Sequence, residues 1–191
     1  MGISWCERCE LSKASWRGGA IAIKKARGEK DRIAAHLIVR NAAEAVEFYK
    51  RALGAVELYR SPLPAGMGMH VHLRIGKSFV MVTDEASPFK SNSIDDTIVL
   101  RSPQSLGGTS TLLEILVEDV DAAYTRAIDA GATPVLPVSD CFWGDRYGWV
   151  RDPYGHLWAL ATVVEELSVE EVQKRMDDMM ANLGGRDSGK Q

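Results

Sequence analysis

The sequence predicts an α+β fold in which one β-α-β-β-β unit occurs twice. The first observation is an internal repeat: HLIVRNAAEAVEFYKRALGAVE at 36–57 matches EILVEDVDAAYTRAIDAGATPV at 114–135 in kind. The second is that each copy is followed by a hairpin pattern with a glycine turn, at 69–82 and at 147–164. The third is composition, because 46% hydrophobic and 26% charged residues are typical of a globular chain. We therefore expect the two units to form one domain over residues 31–165.

Each copy carries the signals of a strand that leads into a capped helix. The apolar strand ends at Asn41 or Asp119, side chains that accept hydrogen bonds from the first turn of a helix. After each Ala-rich helical pattern, Gly54 or Gly131 can adopt the left-handed conformation that ends a helix. In the second hairpin, DPYGH at 152–156 is expected to form a turn in which the histidine is structural.

The two repeats are expected at about 31–84 and 111–165, joined by a connection at 85–110. This connection is rich in Ser, Pro, Gly and Asp and has no strong periodicity beyond TIVL, which indicates a long surface loop. After the second repeat, a Ser-x-x-Glu capping box and apolar residues at helical spacing predict an amphipathic helix at 166–183. Such a stripe is more often a packing surface than a cofactor site. Residues 184–191 are expected to form a tail.

The first thirty residues are expected to form a flexible N-terminal extension, because 1–30 lack sustained periodicity. Cys6 and Cys9 have the spacing of half a zinc site or of a redox pair. A structural zinc needs four ligands and the sequence has no second such pair, so we interpret them as exposed thiols. An odd count of three cysteines argues against a disulfide framework and against secretion. We expect reduced thiols, with Cys141 a quiet one.

Charge and hydropathy exclude two classes of partner. The chain has 23 Lys and Arg against 26 Asp and Glu, a net charge of −3, and no long basic block. Nucleic acid is therefore not expected as a partner. No apolar run approaches the roughly 18 residues that a membrane helix needs, so we expect no membrane partner and a cytoplasmic location.

The doubled unit resembles the vicinal-oxygen-chelate superfamily, which contains glyoxalase I, bleomycin-binding proteins, fosfomycin-modifying enzymes and extradiol dioxygenases. Five motifs are similar to its PhnB-like branch: LIVRNAAEAVEFYKRALGA, MHVHLRIG, SPQSLGGTS, LVEDVDAAYTRAIDAGA and especially DCFWGDRYGWVRDPYGHLWALAT. The resemblance implies a curved mixed-sheet cup that holds a small organic molecule. In binding members the cup is often built between subunits, so the resemblance also implies a homodimer.

The resemblance further implies where a metal would be held. In the metal-dependent members four positions supply ligands, and here they fall on Ala34, His72, Leu112 and Ala159. Only the histidine can ligate, and one imidazole makes a weakly occupied site. We therefore expect a binding protein without the usual metal centre and without a cofactor. A divalent metal at a displaced site remains the alternative.

Strand alternation extends these four positions to a complete inner face. Residues two apart along a strand point to the same side of a sheet. Polar groups then collect on the inner face, and apolar residues, among them Val71, Leu73 and Trp158, face the helices. The expected inner-face residues are Ala34, His36, Ile38, His70, His72, Arg74, Leu112, Glu114, Leu116, Leu157, Ala159 and Ala161.

Three interpretations of His36 and Glu114, which are equivalent in the two repeats, stay open. They can form a hydrogen-bonded pair that satisfies its own polar atoms. They can bind a metal together with His72, one pleat away from the usual position. Or His36 can act as a general base oriented by Glu114, without metal.

The segment PVSDCFWGDRYG allows two interpretations. Trp143 and Tyr147 can stack on a planar aromatic ligand while Arg146 clamps an anionic group at the mouth of the cup. Alternatively, the segment is a rigid loop in which Arg146 pairs with Asp140 or Asp145.

The sequence thus predicts a cytoplasmic, homodimeric protein that binds a small organic molecule. The alternative is a lyase, isomerase or dioxygenase that uses a displaced metal or the His36 base. The residues expected to line the ligand are His36, His70, His72, Arg74, Glu114, Trp143, Arg146 and Tyr147.

Overall fold

The structure, a computed structural model, describes residues 33–63, 66–85 and 100–184. The extension at 1–30, with Cys6 and Cys9, lies outside the described residues, and so does the tail beyond Gly184. The described residues form two compact units that divide between Gly108 and Thr109.

The first unit contains the first β-α-β-β-β module and one short additional helix. Its sheet has the strand order β1-β4-β3-β2, in which β1 and β4 are parallel and the other neighbours are antiparallel. The elements are β1 (Ala35–Val39), α1 (Ala42–Leu53), β2 (Val56–Pro62), β3 (Met69–Ile75), β4 (Ser78–Asp84) and α2 (Pro103–Leu106).

The second unit repeats this topology and adds a C-terminal helix. Its sheet has the order β5-β8-β7-β6, with β5 and β8 parallel and the other neighbours antiparallel. The elements are β5 (Leu112–Leu116), α3 (Val120–Asp129), β6 (Thr133–Asp140), β7 (Asp145–Arg151), β8 (Leu157–Val163) and α4 (Val169–Gly184). The predicted α+β fold with a doubled β-α-β-β-β unit and a C-terminal helix is confirmed.

The two predicted N-caps act as expected, whereas the second helix ends at Ala130, in the right-handed conformation, and not at the predicted Gly131. The Asn41 side chain accepts a hydrogen bond from the Glu44 amide at 3.2 Å and caps α1. In the second unit, Asp119 accepts from the Ala122 amide at 2.9 Å and caps α3. Gly54 follows α1 with φ of 64°, a left-handed conformation that residues with a Cβ rarely adopt.

Each helix α1 and α3 packs on one face of the sheet in its own unit. In the first unit Tyr49 and Val46 of α1 are fully buried together with Val71 and Leu73 of β3. In the second unit Trp158 of β8 is buried on the corresponding face, as alternation predicts. The opposite face of each sheet therefore carries the residues expected on the inner side.

The described end of the connection, residues 100–110, contains a short helix rather than surface loop alone, which corrects the sequence-based expectation for these residues. Ser102 is fully buried and caps the start of α2, and its backbone amide donates to Glu85 at 2.8 Å. The Ser105 hydroxyl donates to the same carboxylate at 2.8 Å. A serine cap followed by Pro103 in the first turn is a helix-start signal, and the Ser-rich composition obscured it.

The segment PVSDCFWGDRYG is also more regular than expected. It contributes the end of β6 and the start of β7, and only residues 141–144 form the turn between them. Gly144 has φ of 97°, and a Cβ built there would lie 2.5 Å from the Glu165 carbonyl oxygen. A glycine is therefore required where the turn passes under the chain that follows β8.

Helix α4 begins after Ser168, whose hydroxyl accepts from the Glu171 amide at 3.2 Å. Val169, Met176, Met179 and Met180 are exposed along it. Among the described residues, no helix has both the length and the apolar character that crossing a membrane requires.

Candidate functional site

Histidine side chains gather on the face of the first sheet that α1 leaves uncovered. His70 and His72 are two residues apart on β3, so both point to the same side of the sheet. Antiparallel pairing with β4 sets Thr83 opposite His70 and Met81 opposite His72. Parallel pairing of β1 with β4 sets His36 opposite Met81. Three imidazoles from two strands are thus brought to one surface.

The three imidazoles and one hydroxyl form a continuous hydrogen-bonded chain. The Thr83 Oγ1 atom lies 2.6 Å from Nε2 of His36 and 2.6 Å from Nδ1 of His70. The Nε2 atoms of His70 and His72 are 2.6 Å apart. The chain therefore runs in the order His36, Thr83, His70, His72, from β1 through β4 to β3.

Solvent reaches one end of this chain and not the other. His36 is exposed, whereas Thr83 and His72 are only 2% and 5% exposed. Tyr59 and Phe79 pack edge-to-face on the His72 ring, with ring centroids at 5.6 Å and 5.0 Å. Burial of part of its ring lowers the pKa of His36, which favours the neutral imidazole.

An aromatic series occupies the matching face of the second sheet. Trp143 lies in the turn before β7, and its ring is 5.5 Å from that of Tyr147, which in turn is 6.2 Å from Trp149. Burial raises the pKa of the Tyr147 phenol, and the negative charges of Glu114 and Asp145 act in the same direction. Trp143 is 37% exposed, so part of this residue remains accessible to solvent.

Arg146 is held by two carboxylates within the second unit. Its Nε and one terminal nitrogen donate to Asp121 at 2.6 Å and 2.8 Å, and the other terminal nitrogen donates to Asp140 at 2.9 Å. The expected pairing with Asp140 is present, whereas Asp145 instead accepts from the Trp143 indole at 2.9 Å. Asp121 is 25 residues away in sequence, and no pattern in the chain indicated it.

The turn between β7 and β8 is organised by a buried carboxylate. Asp152 is 3% exposed and accepts hydrogen bonds from the amides of Tyr154 and His156, both at 2.9 Å. It also accepts from the Trp158 indole at 3.0 Å. The predicted turn at 152–156 is present, and His156 takes part in it through its backbone.

Cys141 lies in the turn that joins β6 to β7. Burial raises its pKa, and the nearby negative charges of Asp145 and Asp140 raise it further. A thiol held in its protonated form is a poor nucleophile, which agrees with the expectation of a quiet cysteine.

The predicted site residues therefore separate into two groups. His36, His70 and His72 come together in the first unit, and Trp143 and Tyr147 come together in the second. Arg74 shares the histidine face but is exposed, and its guanidinium donates to the Gly76 carbonyl at 2.9 Å. Sequence reasoning missed Thr83, Tyr59, Phe79 and Trp149. Counting in steps of two from Tyr147 would have reached Trp149, whereas Thr83 needed the strand register.

The donor atoms available to a metal are few. By the resemblance, Ala34, Leu112 and Ala159 stand at ligand positions and have no donor side chain. Across the ranges that the structure describes, no group of three or more His, Cys, Asp and Glu side chains lies together as a metal would need.

Comparisons with known proteins agree with this fold. The Mycobacterium bovis protein named "Uncharacterized protein Mb0911c" is 43% identical over 141 residues, covering 74% of this chain and 89% of the relative. The crystal structure of TioX from Micromonospora sp. ML1 matches with a TM-score of 0.55 and 28% identity, over 70% of this chain and 98% of that one. The fosfomycin resistance protein FosX from Listeria monocytogenes, complexed with Mn(II) and sulfate ion, matches with a TM-score of 0.51 and 18% identity, over 78% and 98% of the two chains. This last likeness shows the fold alone.

A family model matches residues 31–160, which is most of the chain and includes both β-α-β-β-β modules up to the middle of β8. The chain therefore belongs to the Glyoxalase/Bleomycin resistance protein/Dioxygenase superfamily.

Proposed function

We propose that this protein binds a small planar organic molecule without using the four-ligand metal centre of its superfamily. One observation carries the proposal. The sheet faces left uncovered by α1 and α3 hold hydrogen-bonding and aromatic groups at equivalent positions, in rows of residues that pair side by side across neighbouring strands. His36 and His72 stand in one row of the first sheet, and Glu114 and Trp149 stand in the same row of the second. Surfaces with an apolar body and a few directed polar atoms are typical of sites for small organic ligands.

The chemistry of the donor set supports binding rather than Lewis-acid catalysis at the usual position. Of the four family positions only His72 has a ligating side chain, and its Nε2 lies against His70. A metal at this position would have to separate the two rings and would gain few ligands in return. The residues present therefore do not fit the four-ligand centre.

The aromatic series supports a planar ligand. Tyr147 and Trp149 are held edge to face, and Trp143 is braced by its hydrogen bond to Asp145. A rigid, partly exposed indole offers stacking area at little cost in side-chain entropy. A small dicarbonyl compound has no comparable face and would need the missing Lewis acid.

A second candidate function is metal-free proton transfer by His36. It is favoured by one specific observation: burial lowers the pKa of this imidazole, so it is a neutral base near pH 7. In this function a lyase or isomerase substrate would lose a proton to His36. Orientation of the ring by Glu114 stays a prediction.

The experiment is a calorimetric and tryptophan-fluorescence screen of planar aromatic acids, phenols and amides against the purified protein. His36→Ala and Glu114→Ala should change ligand preference, because they alter the hydrogen bonding of the two faces. His156→Ala is the matched control, since that ring belongs to the β7–β8 turn. Absence of binding, or binding that is indifferent to both face variants, would contradict the proposal. Turnover of a glyoxalase-type hemithioacetal that is lost in His36→Ala would favour the second candidate.

We further propose a PhnB-like, cytoplasmic homodimer. The motifs MHVHLRIG and DCFWGDRYGWVRDPYGHLWALAT support the branch, and the odd cysteine count supports a reducing compartment. Light scattering on the eluting peak of a size-exclusion column tests the dimer, and a single-chain mass would contradict it.

A further inference from the structure

The hydrogen-bonded chain on the first sheet imposes a rule on where its protons lie. Thr83 Oγ1 is within 2.6 Å of a nitrogen of His36 and a nitrogen of His70, yet a hydroxyl group has only one hydrogen. One of the two bonds must therefore be donated by Thr83, and the other must be donated by a ring N–H. Each neutral imidazole likewise has one donor and one acceptor nitrogen.

Following this rule along the chain leaves two arrangements for neutral rings. If Thr83 donates to His36, then His36 and His70 both carry their proton on Nδ1 and His72 carries it on Nε2. If Thr83 donates to His70, then His36 and His70 both carry it on Nε2 and His72 carries it on Nδ1. In both arrangements His36 and His70 share one tautomer and His72 has the other.

The two ends of the chain therefore have opposite roles. In the first arrangement the Nδ1 atom of His36 is a donor and the Nδ1 atom of His72 is an acceptor. In the second arrangement these two roles are exchanged. His36 is exposed and reachable by a ligand, whereas His72 is buried between Tyr59 and Phe79. A group that bonds to the exposed end selects one of the two arrangements for the whole chain.

We propose that Thr83 couples the three imidazoles into one polarised chain, through which a carbonyl or hydroxyl group of a planar ligand at His36 sets the tautomer of His72. The inference rests on the proposed function, because it names the polar group by which the same ligand is recognised. Thr83 is a positioning residue in this scheme, since it acts through the rings. Within the described strands of this sheet, the other titratable or charged side chains on this face are Tyr59 and Arg74. The carboxylate of Asp84 lies elsewhere, accepting from the amides of Ala42 and Met69 at 2.9 Å and 2.7 Å.

The first test reads the tautomers directly by ¹⁵N nuclear magnetic resonance of the full-length protein at about pH 9, where a free imidazole is neutral. We expect His36 and His70 to share a tautomer and His72 to have the opposite one. Thr83→Val removes the hydroxyl at nearly constant shape and should uncouple the tautomer of His36 from that of His70, while His70 and His72 stay opposite through their direct bond. Thr83→Ser should keep all three rings coupled. Thr162→Val makes the same change on β8, where the hydroxyl bonds to the Val117 carbonyl, and should leave all three rings unchanged.

Any other set of tautomers in the wild-type protein would overturn the proposal. So would an unchanged pattern in Thr83→Val. If that variant does not fold, the wild-type and Thr83→Ser tautomers decide the matter, because the rule applies to both.

The second test adds two probes that differ in hydrogen-bonding role: acetophenone, which can only accept, and phenol, which can donate. Acetophenone should increase the population of His72 protonated on Nε2, and phenol should increase the population protonated on Nδ1. Both responses at His72 should vanish in Thr83→Val. Shifts at His36 with no response at His72 would overturn the coupling. If neither probe binds, this ligand class and the proposed function fail, while the wild-type tautomers still decide whether the chain is coupled.

Discussion

His36 and Glu114 occupy the same register position in two separate sheets. His36 pairs with Met81 across the parallel β1–β4 contact, and Glu114 pairs with Ala159 across the parallel β5–β8 contact. His36 and Glu114 are 78 positions apart, and so are Met81 and Ala159, which is the offset at the start of the sequence repeat. The two modules thus have the same strand order, whereas the side chains on their uncovered faces differ. One face offers imidazoles, and the other offers a carboxylate and aromatic rings.

Replacing Trp143 by Ala should weaken binding of a planar ligand by about 1–3 kcal/mol, because it removes an exposed apolar face. The melting temperature should change little, since Trp143 is 37% exposed and lies in a turn. Trp158→Ala is the matched comparison, because that indole is 3% exposed and hydrogen-bonded to Asp152. It should cost roughly 3–5 kcal/mol of stability. Calorimetric titration measures the loss of binding, and chemical denaturation measures the loss of stability. Equal losses of stability in the two variants would refute the assignment of Trp143 to the ligand-binding surface.

Protein purified without a histidine tag should hold well under one divalent ion per chain. The reason is the lack of donor side chains at Ala34, Leu112 and Ala159, three of the four family positions. Elemental analysis measures the metal directly. A tightly held stoichiometric ion that is lost in His72→Ala, but kept in His156→Ala, would instead favour the displaced-metal alternative.

Asp152→Asn should destabilise the protein by roughly 1–3 kcal/mol, because the buried carboxylate accepts from three donors and an amide group cannot accept at both of its ends. Asp119→Asn provides the control. Asn caps helices about as well as Asp, so this variant should remain within about 0.5 kcal/mol of wild type. Urea unfolding followed by circular dichroism distinguishes the two variants. An Asp152→Asn variant as stable as wild type would show that the turn does not depend on the charge.

Stability should fall as the pH is lowered from about 4.5 to about 2, partly through Glu57. Hydrogen bonds from Arg60 and Lys50 lower the pKa of this carboxyl from 4.5 to about 2. Because the folded-state pKa is the lower one, the stabilisation is present above pH 4.5 and is lost as the pH falls through the folded value. We expect Glu57→Gln to lose roughly 1–2 kcal/mol at neutral pH, a figure reduced for its partial exposure, and to be less sensitive to acid. Urea unfolding at several pH values tests this. Glu118→Gln, at an exposed position, is the control, and parallel acid sensitivity of wild type and Glu57→Gln would contradict the prediction.

The sequence by itself determined the two β-α-β-β-β modules, the caps at Asn41 and Asp119, and the grouping of His70 and His72 on one face. These features depend on local periodicity and on side chains that bond to amides three residues away, so neighbouring residues are sufficient to specify them. For the same reason, the repeat at 36–57 and 114–135 could be recognised without a structure.

Only the tertiary structure decided which side chains meet across strands. Thr83 joins His36 to His70 over 47 and 13 residues of sequence, and Arg146 reaches Asp121 over 25. Such contacts depend on strand register, which a shift of one residue would reverse, and on the rotamers that packing selects. A sequence pattern contains the alternation but not the register, and for that reason the hydroxyl that links the imidazoles became visible only in the folded chain.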